Sequence, residues 1–281
     1  MLTKTQMVKD LKNLGICEGD VVLVHSSFKS LGELENGADT VVSAFFEAIG
    51  KEGTLVFPTL CSKDWEHVYE NWHMDAPSDV GYLTNYFRKL DGALRSNQAT
   101  HSVAAIGKMA EYITKTHGES GLRFGMYGDS AFSKDSPWDK LYELNCKIVF
   151  IGVKTSCCTM KHLAEHCYID QALEAMKGHE KFEEMQDKLW HYSRWERQGI
   201  WPLTNSAVIE EKLANKGRVF KTTCGNANLT MVCAKEWIDE MFASYANHDF
   251  SMSFTDEDRV RVENWVKEAE EYGFKFVPTN K

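Results

Sequence analysis

The densest run of reactive side chains is Ser156-Cys157-Cys158-Thr159-Met160-Lys161-His162-Leu163-Ala164-Glu165-His166-Cys167, directly after the apolar segment Phe150-Ile-Gly-Val153. On a helix, Thr159, His162 and Glu165 recur at intervals of three and are neighbours on the surface. Near a helix N-terminus the positive end of the macrodipole disfavours an imidazolium, and a neutral imidazole is a base at neutral pH. A threonine hydroxyl and the unpaired N–H groups of a first turn can stabilise an oxyanion. The group therefore suits proton abstraction coupled to attack on a carbonyl. Three other readings share these residues. One is an amphipathic helix with His162 on its polar side. Another is the inverted zincin motif H-x-x-E-H, with His162 and His166 on zinc, Glu165 as base and a third ligand such as Glu236 or Glu240. The last is a Cys157 or Cys158 nucleophile activated by His162.

A second constellation is His25-Ser26-Ser27-Phe28-Lys29-Ser30-Leu31-Gly32. Hydroxyls, backbone N–H groups and one lysine at the end of a strand can hold phosphate oxygens; a serine-rich turn is the plainer reading. It is not a Walker loop, and without G-x-G-x-x-G the chain carries no sign of a Rossmann nicotinamide site. A third patch, Arg95-Ser96 with His101-Ser102-Val103-Ala104-Ala105, likewise sets a cation and hydroxyls before an apolar strand.

Alternating helix and strand patterns must position these groups. Thr3–Leu14 reads as a helix, Val21–Val24 as a buried strand, Gly37–Ile49 as a helix and Gly53–Pro58 as a second strand. Gly81–Leu90 is helical, Ser102–Ile106 strand-like, and Ser136-Pro137 a helix start. Lys147–Val153 is the clearest buried strand, with a helix expected from about Thr159. Arg218–Thr223 and Leu229–Cys233 pair around Gly225-Asn226, and helices at Lys235–Tyr245 and Thr255–Tyr272 close the chain. This pattern predicts an α/β fold with a mixed, partly parallel central sheet flanked by helices, in which ligands gather beyond the C-terminal strand ends. The tryptophan-rich stretch 174–203 has no clean period and is expected to be an inserted lid in a single domain spanning 1–281.

The 281 residues are 43% apolar and 26% charged, as in an ordinary globular chain. The formal charge of −9 argues against nucleic acid or an anionic membrane as partner and favours a cationic substrate. Apolar runs fall short of the ~20 residues that span a bilayer. The polar N-terminus and eight scattered cysteines fit a cytoplasmic protein with reduced thiols.

The ordered set His25–Gly32, Gly37-Ala38, Gly53–Thr59, Arg95-Ser96, His101–Gly107, Ser136-Pro137, Lys140-Leu141, Ile151–Val153 and Thr159-x-x-His162-x-x-Glu165 resembles the aminoglycoside 3-N-acetyltransferase family. The resemblance covers about residues 1–170. It implies an acetyl-CoA-dependent enzyme, without a metal, in which His162 deprotonates the acceptor amine and Thr159 stabilises the oxyanion. Glu165 would support the histidine or the substrate ammonium. Ser26, Ser27, Arg95, Ser96, Ser102 and Val103 would hold the acyl-CoA phosphates and pantetheine, with the thioester between Ser26/Ser27 and the His162 helix. The chain departs from the family at Gln98-Ala99, where His-Pro is expected, and in its long Gly118–Asp135 segment.

Between Glu165 and Asp187 seven acidic and two basic side chains precede the tryptophan-rich segment. Carboxylates beside aromatic walls suit a polycationic amino sugar, and Glu174, Glu183, Glu184 and Asp187 are the candidate acceptor contacts. A nucleotide-linked amino sugar is the alternative acceptor, with Lys181, Lys188, Arg194 or Arg197 meeting its diphosphate. Monomer and homodimer both remain open.

Overall fold

Val21–Ser26 (β1) is apolar on both faces, with Val22, Leu23, Val24 and His25 buried, as expected of a strand at the centre of a covered sheet. Thr54–Pro58 (β2) and Lys147–Ile151 (β5) flank it, both parallel to it, in registers that set Leu23 beside Val56 and His25 beside Phe150. Val103–Gly107 (β4) runs antiparallel to β2, and Leu94–Arg95 (β3) antiparallel to β4. On the other side Ala227–Cys233 (β7) pairs antiparallel with β5, and Phe220–Cys224 (β6) with β7. The order is β3-β4-β2-β1-β5-β7-β6, the mixed, partly parallel sheet expected from the sequence.

This computed structural model describes residues 1–61, 68–117, 131–185 and 204–278. The chain divides into one unit of residues 1–158 with 216–236, which holds the whole sheet, and another of residues 159–215 with 237–281. In the first unit, Lys4–Leu14 (α1) is capped by Thr3, whose hydroxyl accepts the Gln6 N–H at 3.2 Å, and is stopped by Gly15. Ala38–Ile49 (α2) buries Val41, Val42, Phe45 and Ile49, the face its period marked out. Shorter helices follow at Val68–Asn71 (α3), Tyr82–Phe87 (α4), Ala110–Thr114 (α5) and Pro137–Glu143 (α6). The last begins at its proline, with the Ser136 hydroxyl accepting the Asp139 N–H.

The second unit contains Lys161–Met176 (α7), Ser206–Asn215 (α8), Ala234–Ala246 (α9) from Trp237 onward, and Asp256–Glu271 (α10). Tyr168 of α7 stacks on Tyr245 of α9 with centroids 4.4 Å apart and meets Phe274 edge-on at 5.3 Å. Offset and edge-to-face pairs of this kind add about 0.5–1.5 kcal/mol beyond their burial. Among the described residues no helix is long and apolar enough to cross a membrane.

Two expectations shift. β5 ends at Ile151, because Gly152 takes a φ of +61° and its N–H turns to the Asn228 carbonyl at 2.8 Å. A Cβ there would overlap the Ser30 side chain, so glycine lets this loop lie on the turn after β1. A 3₁₀ turn at Thr155–Cys157 then intervenes, and α7 starts at Lys161 rather than Thr159. Glu174 lies in the last turn of α7. Residues 186–203, with Trp190, Trp195, Trp201 and Asp187, lie outside the described residues, as do 118–130 of the long Gly118–Asp135 segment.

Burial holds two of the sheet unit's buried histidines, His25 and His117, neutral. His25 lies flat on Phe150, centroids 5.3 Å apart, and its Nε2 is bonded to nothing among the described residues. Burial lowers its pKa to about 4 and that of His117 to about 3. Below the ordinary histidine value of 6.5 the unfolded chain therefore takes up protons that the fold refuses. Stability should fall by up to about 1.4 kcal/mol per pH unit for each histidine between pH 6.5 and about 4. Urea unfolding across that range should show a shallower slope in His25→Phe, by about one proton per molecule; a slope equal to wild type would contradict this.

Candidate active site

The first turn of α7 is tight: the His162 N–H bonds the Thr159 carbonyl at 3.1 Å and the Leu163 N–H bonds Met160 at 3.0 Å. Thr159 thus sits in the turn that feeds the helix, almost buried. His162 keeps 13% of its side chain exposed, whereas Glu165 has none. His162 Nδ1 lies 2.6 Å from Glu165 Oε2, and Glu165 Oε1 accepts the Thr204 N–H at 2.7 Å. Both carboxylate oxygens are therefore engaged, as a buried carboxylate requires.

The bond to Glu165 fixes the neutral tautomer with the proton on Nδ1, leaving proton uptake to Nε2. Burial lowers the His162 pKa below the ordinary value; the charge and hydrogen bond of Glu165 oppose this, and Lys161 adds to it. The result is an oriented, uncharged imidazole near the positive end of a 16-residue helix. Lys161 and Thr204 belong to this arrangement and were not among the residues singled out from sequence: the buried Lys161 Nζ donates to the Thr204 carbonyl at 3.1 Å.

In the sheet unit, Ser26 and Ser27 are half-buried where β1 ends, and the Ser27 N–H bonds the Ile151 carbonyl at 2.8 Å. The Ser30 hydroxyl closes the turn onto the Ser27 carbonyl at 2.6 Å. An open cavity of about 1120 Å³ adjoins this turn, lined by Phe28, Lys29 and Gly32 together with Thr3, Gln6 and Asn226. The third patch is turned inward. Arg95 donates from Nε to Thr59 Oγ1 and Ser102 Oγ (both 3.2 Å), and from its terminal nitrogens to the carbonyls of Met74, Ala76 and Thr59 (2.8, 2.5 and 2.9 Å) and to Cys61 Sγ at 3.5 Å. Its guanidinium also lies 4.6 Å from the Trp72 ring centroid.

Ser96, Ser102 and Val103 are fully buried. The Val103 N–H donates to Ser96 Oγ (2.9 Å), whose hydroxyl faces His117 Nδ1 (2.7 Å), while His117 Nε2 reaches the Ala131 carbonyl (3.0 Å). Gln98, where the family resemblance leads one to expect histidine, closes this turn by accepting the N–H groups of Thr100 and His101 at 2.8 and 2.5 Å.

Residues 23–245 match the sequence model of the aminoglycoside 3-N-acetyltransferase family. The chain belongs to this family. It is 30% identical over 185 residues to the SPbeta prophage-derived aminoglycoside N(3')-acetyltransferase-like protein YokD of Bacillus subtilis, covering 58% of this chain and 65% of that one. It is 29% identical over 182 residues to aminoglycoside N(3)-acetyltransferase III of Acinetobacter baumannii, covering 59% and 60%. The matches thus span less than two thirds of these curated relatives. The solved AAC-IIIb structure, binary with CoASH, shares the fold at a TM-score of 0.66 and 19% identity, covering 90% of this chain and 98% of that one.

For this acetyltransferase-family chain the other sequence candidates fall as follows. Glu174 is exposed and faces Lys177 at 3.4 Å; Glu183 and Glu184 are exposed beyond α7. Lys181 pairs with Glu268 at 3.2 Å, and Asp187, Lys188, Arg194 and Arg197 lie outside the described residues. The zincin motif needs its glutamate as base and both histidines on the metal, but Glu165 holds His162 instead. Among the described residues no three His, Cys, Asp or Glu side chains are grouped to hold a metal ion, and Glu236 faces Arg218 at 3.5 Å. Cys158 is fully buried, while Cys157 is exposed in the 3₁₀ turn.

Replacing the carboxylate by an amide tests the tautomer. In Glu165→Gln the amide oxygen can keep the Thr204 N–H, which turns the NH₂ toward Nδ1 and drives the ring proton to Nε2. With the raising effect of Glu165 gone, the His162 pKa should fall further below 6.5. Histidine ¹⁵N NMR should show Nδ1–H in wild type and Nε2–H in the variant; one tautomer in both would contradict the assignment.

Proposed function

We propose that this chain is a CoA-dependent N-acetyltransferase that moves the acetyl group of acetyl-CoA directly onto an amine of an aminoglycoside. The observation that carries this reading is the His162–Glu165–Thr204 chain of hydrogen bonds, which leaves a neutral, oriented base in a member of this family. The acceptor amine attacks the thioester carbonyl, forming the C–N bond. His162 Nε2 takes the proton lost by the nitrogen. The tetrahedral oxyanion meets the Thr159 hydroxyl, and on collapse the C–S bond breaks and CoA leaves as the thiol, protonated from His162. Glu165 holds the ring and stabilises the transient imidazolium.

Ser26 and Ser27, at the half-open end of β1, are the proposed contacts to the donor. Arg95, Ser96, Ser102 and Val103 would serve it by fixing the wall behind, since their polar groups bond one another and neighbouring backbone. The AAC-IIIb neighbour with CoASH supports the choice of donor class. The formal charge of −9 supports a polycationic acceptor, with Glu174, Glu183, Glu184 and Asp187 as its proposed contacts.

The test is CoA-thiol release from acetyl-CoA with a panel of aminoglycosides and nucleotide-linked amino sugars. Loss of a positioned general base typically reduces turnover by about 100–10,000-fold. His162→Ala should show that loss while acetyl-CoA binding, measured by calorimetry, persists. Wild-type turnover in His162→Ala would sink the reading, and faster turnover of an amino sugar nucleotide than of any aminoglycoside would reassign the acceptor.

A further inference from the structure

Thr204 is fully buried, and the start of α7 grips its backbone at both ends. Its N–H donates to Glu165 Oε1 at 2.7 Å and its carbonyl accepts from Lys161 Nζ at 3.1 Å. The same stretch is fixed further by the bridge of Thr204 to Ser253, by the Asn205 N–H on the Met252 carbonyl at 2.7 Å, and by Thr204 Oγ1 within 3.5 Å of the Tyr245 hydroxyl. Lys161 is only 7% exposed, and its ammonium stands 5.7 Å from the Phe254 ring centroid.

A buried ammonium on a neutral carbonyl is a poor way to stabilise a helix, because an apolar side chain would fill the space without desolvating a charge. What the lysine does achieve is geometric. It holds the Thr204 backbone where its N–H meets Glu165, and Glu165 in turn aims the His162 ring. We infer that Lys161 is a positioning residue for acetyl transfer, acting on His162 through the Thr204 backbone and Glu165. This rests on the proposed role of His162 as base. On α7 the charges that act on the ring are Glu165 and Lys161; from α9, the Tyr245 hydroxyl lies 3.5 Å from Thr204 Oγ1, and burial raises its phenol pKa well above normal, keeping it neutral.

The test reads Thr204 amide hydrogen exchange by NMR beside steady-state kinetics in Lys161→Met and Lys161→Arg. A base displaced by about an ångström loses on the order of 100-fold in rate. Lys161→Met should therefore lower kcat by about 10- to 100-fold, with both KM values within about twofold of wild type and Thr204 exchange accelerated about tenfold. Its acid limb of kcat should move to higher pH, since Lys161 contributes to lowering the His162 pKa. Lys161→Arg should restore Thr204 protection and most of kcat.

A folded Lys161→Met with wild-type kcat, or with wild-type Thr204 exchange, would overturn the inference. If Lys161→Met does not fold, Lys161→Gln keeps a donor for the Thr204 carbonyl without the charge. Thr204 protection and kcat near wild type in that variant would support positioning through the bond, and loss of kcat with Thr204 protection kept would overturn it. A wild-type protein that acetylates no amine would remove the functional reading while leaving the exchange result intact, so the two fail separately.

Discussion

A carboxylate with no exposed surface constrains the start of the helical unit. Glu165 has two oxygens to satisfy away from water, and leaving either unmet would cost several kcal/mol. One oxygen takes the His162 ring and the other the Thr204 N–H, so a single buried charge ties the first turns of α7 to a chain segment 39 positions away. The energy that makes this arrangement stable also sets its chemistry. The bond that satisfies Glu165 selects the tautomer of His162, and the burial that makes the carboxylate demanding lowers the imidazole pKa. Lys161 belongs to the same set because the Thr204 backbone has to be held as well as used.

The sheet unit solves a related problem around an inward-turned guanidinium. Three parallel strands place the ends of β1, β2 and β5 side by side, and the turn after β1 is pinned to β5 through Ser27 and Ile151. Behind it Arg95 gathers Thr59, Ser102, Cys61 and the carbonyls of Met74 and Ala76, while Ser96 and His117 lock the start of β4. Fully satisfied buried networks of this kind favour one rigid arrangement over many. Such stiffness suits a wall against which a long, flexible donor would be ordered, as the proposed acetyl transfer requires.

A strong hydrophobic period makes an element legible in the sequence. The runs Val21–Val24 and Lys147–Val153 mark buried strands because both faces are apolar, and Val41, Val42, Phe45 and Ile49 mark the inner face of α2. The hairpin of β6 and β7 was visible from Gly225-Asn226 between two strand-forming runs. The His162–Glu165 pair was legible because helical spacing brings positions three apart together. β3 is not legible because two residues carry no period, and the start of α7 is displaced by two residues because the 3₁₀ turn before it has no strong sequence signal. Thr204 could not have been found from spacing, since only the fold brings it to Glu165. The polar groups of Arg95 and Ser102 stand out in the sequence, yet only the fold shows that they point into the protein.

In a direct transfer His162 is a base, and the protein never carries the acetyl group itself. The sharpest single test is the initial-velocity pattern with acetyl-CoA and the aminoglycoside both varied, because a covalent acetyl-enzyme has a distinct kinetic fingerprint. Intersecting lines in the double-reciprocal plot are the predicted result, since donor and acceptor must then be bound together when the proton passes to His162. Parallel lines would mean that the acetyl group rests on the enzyme between substrates, on His162 or on the exposed Cys157, and would contradict the role of His162 as a base held by Glu165.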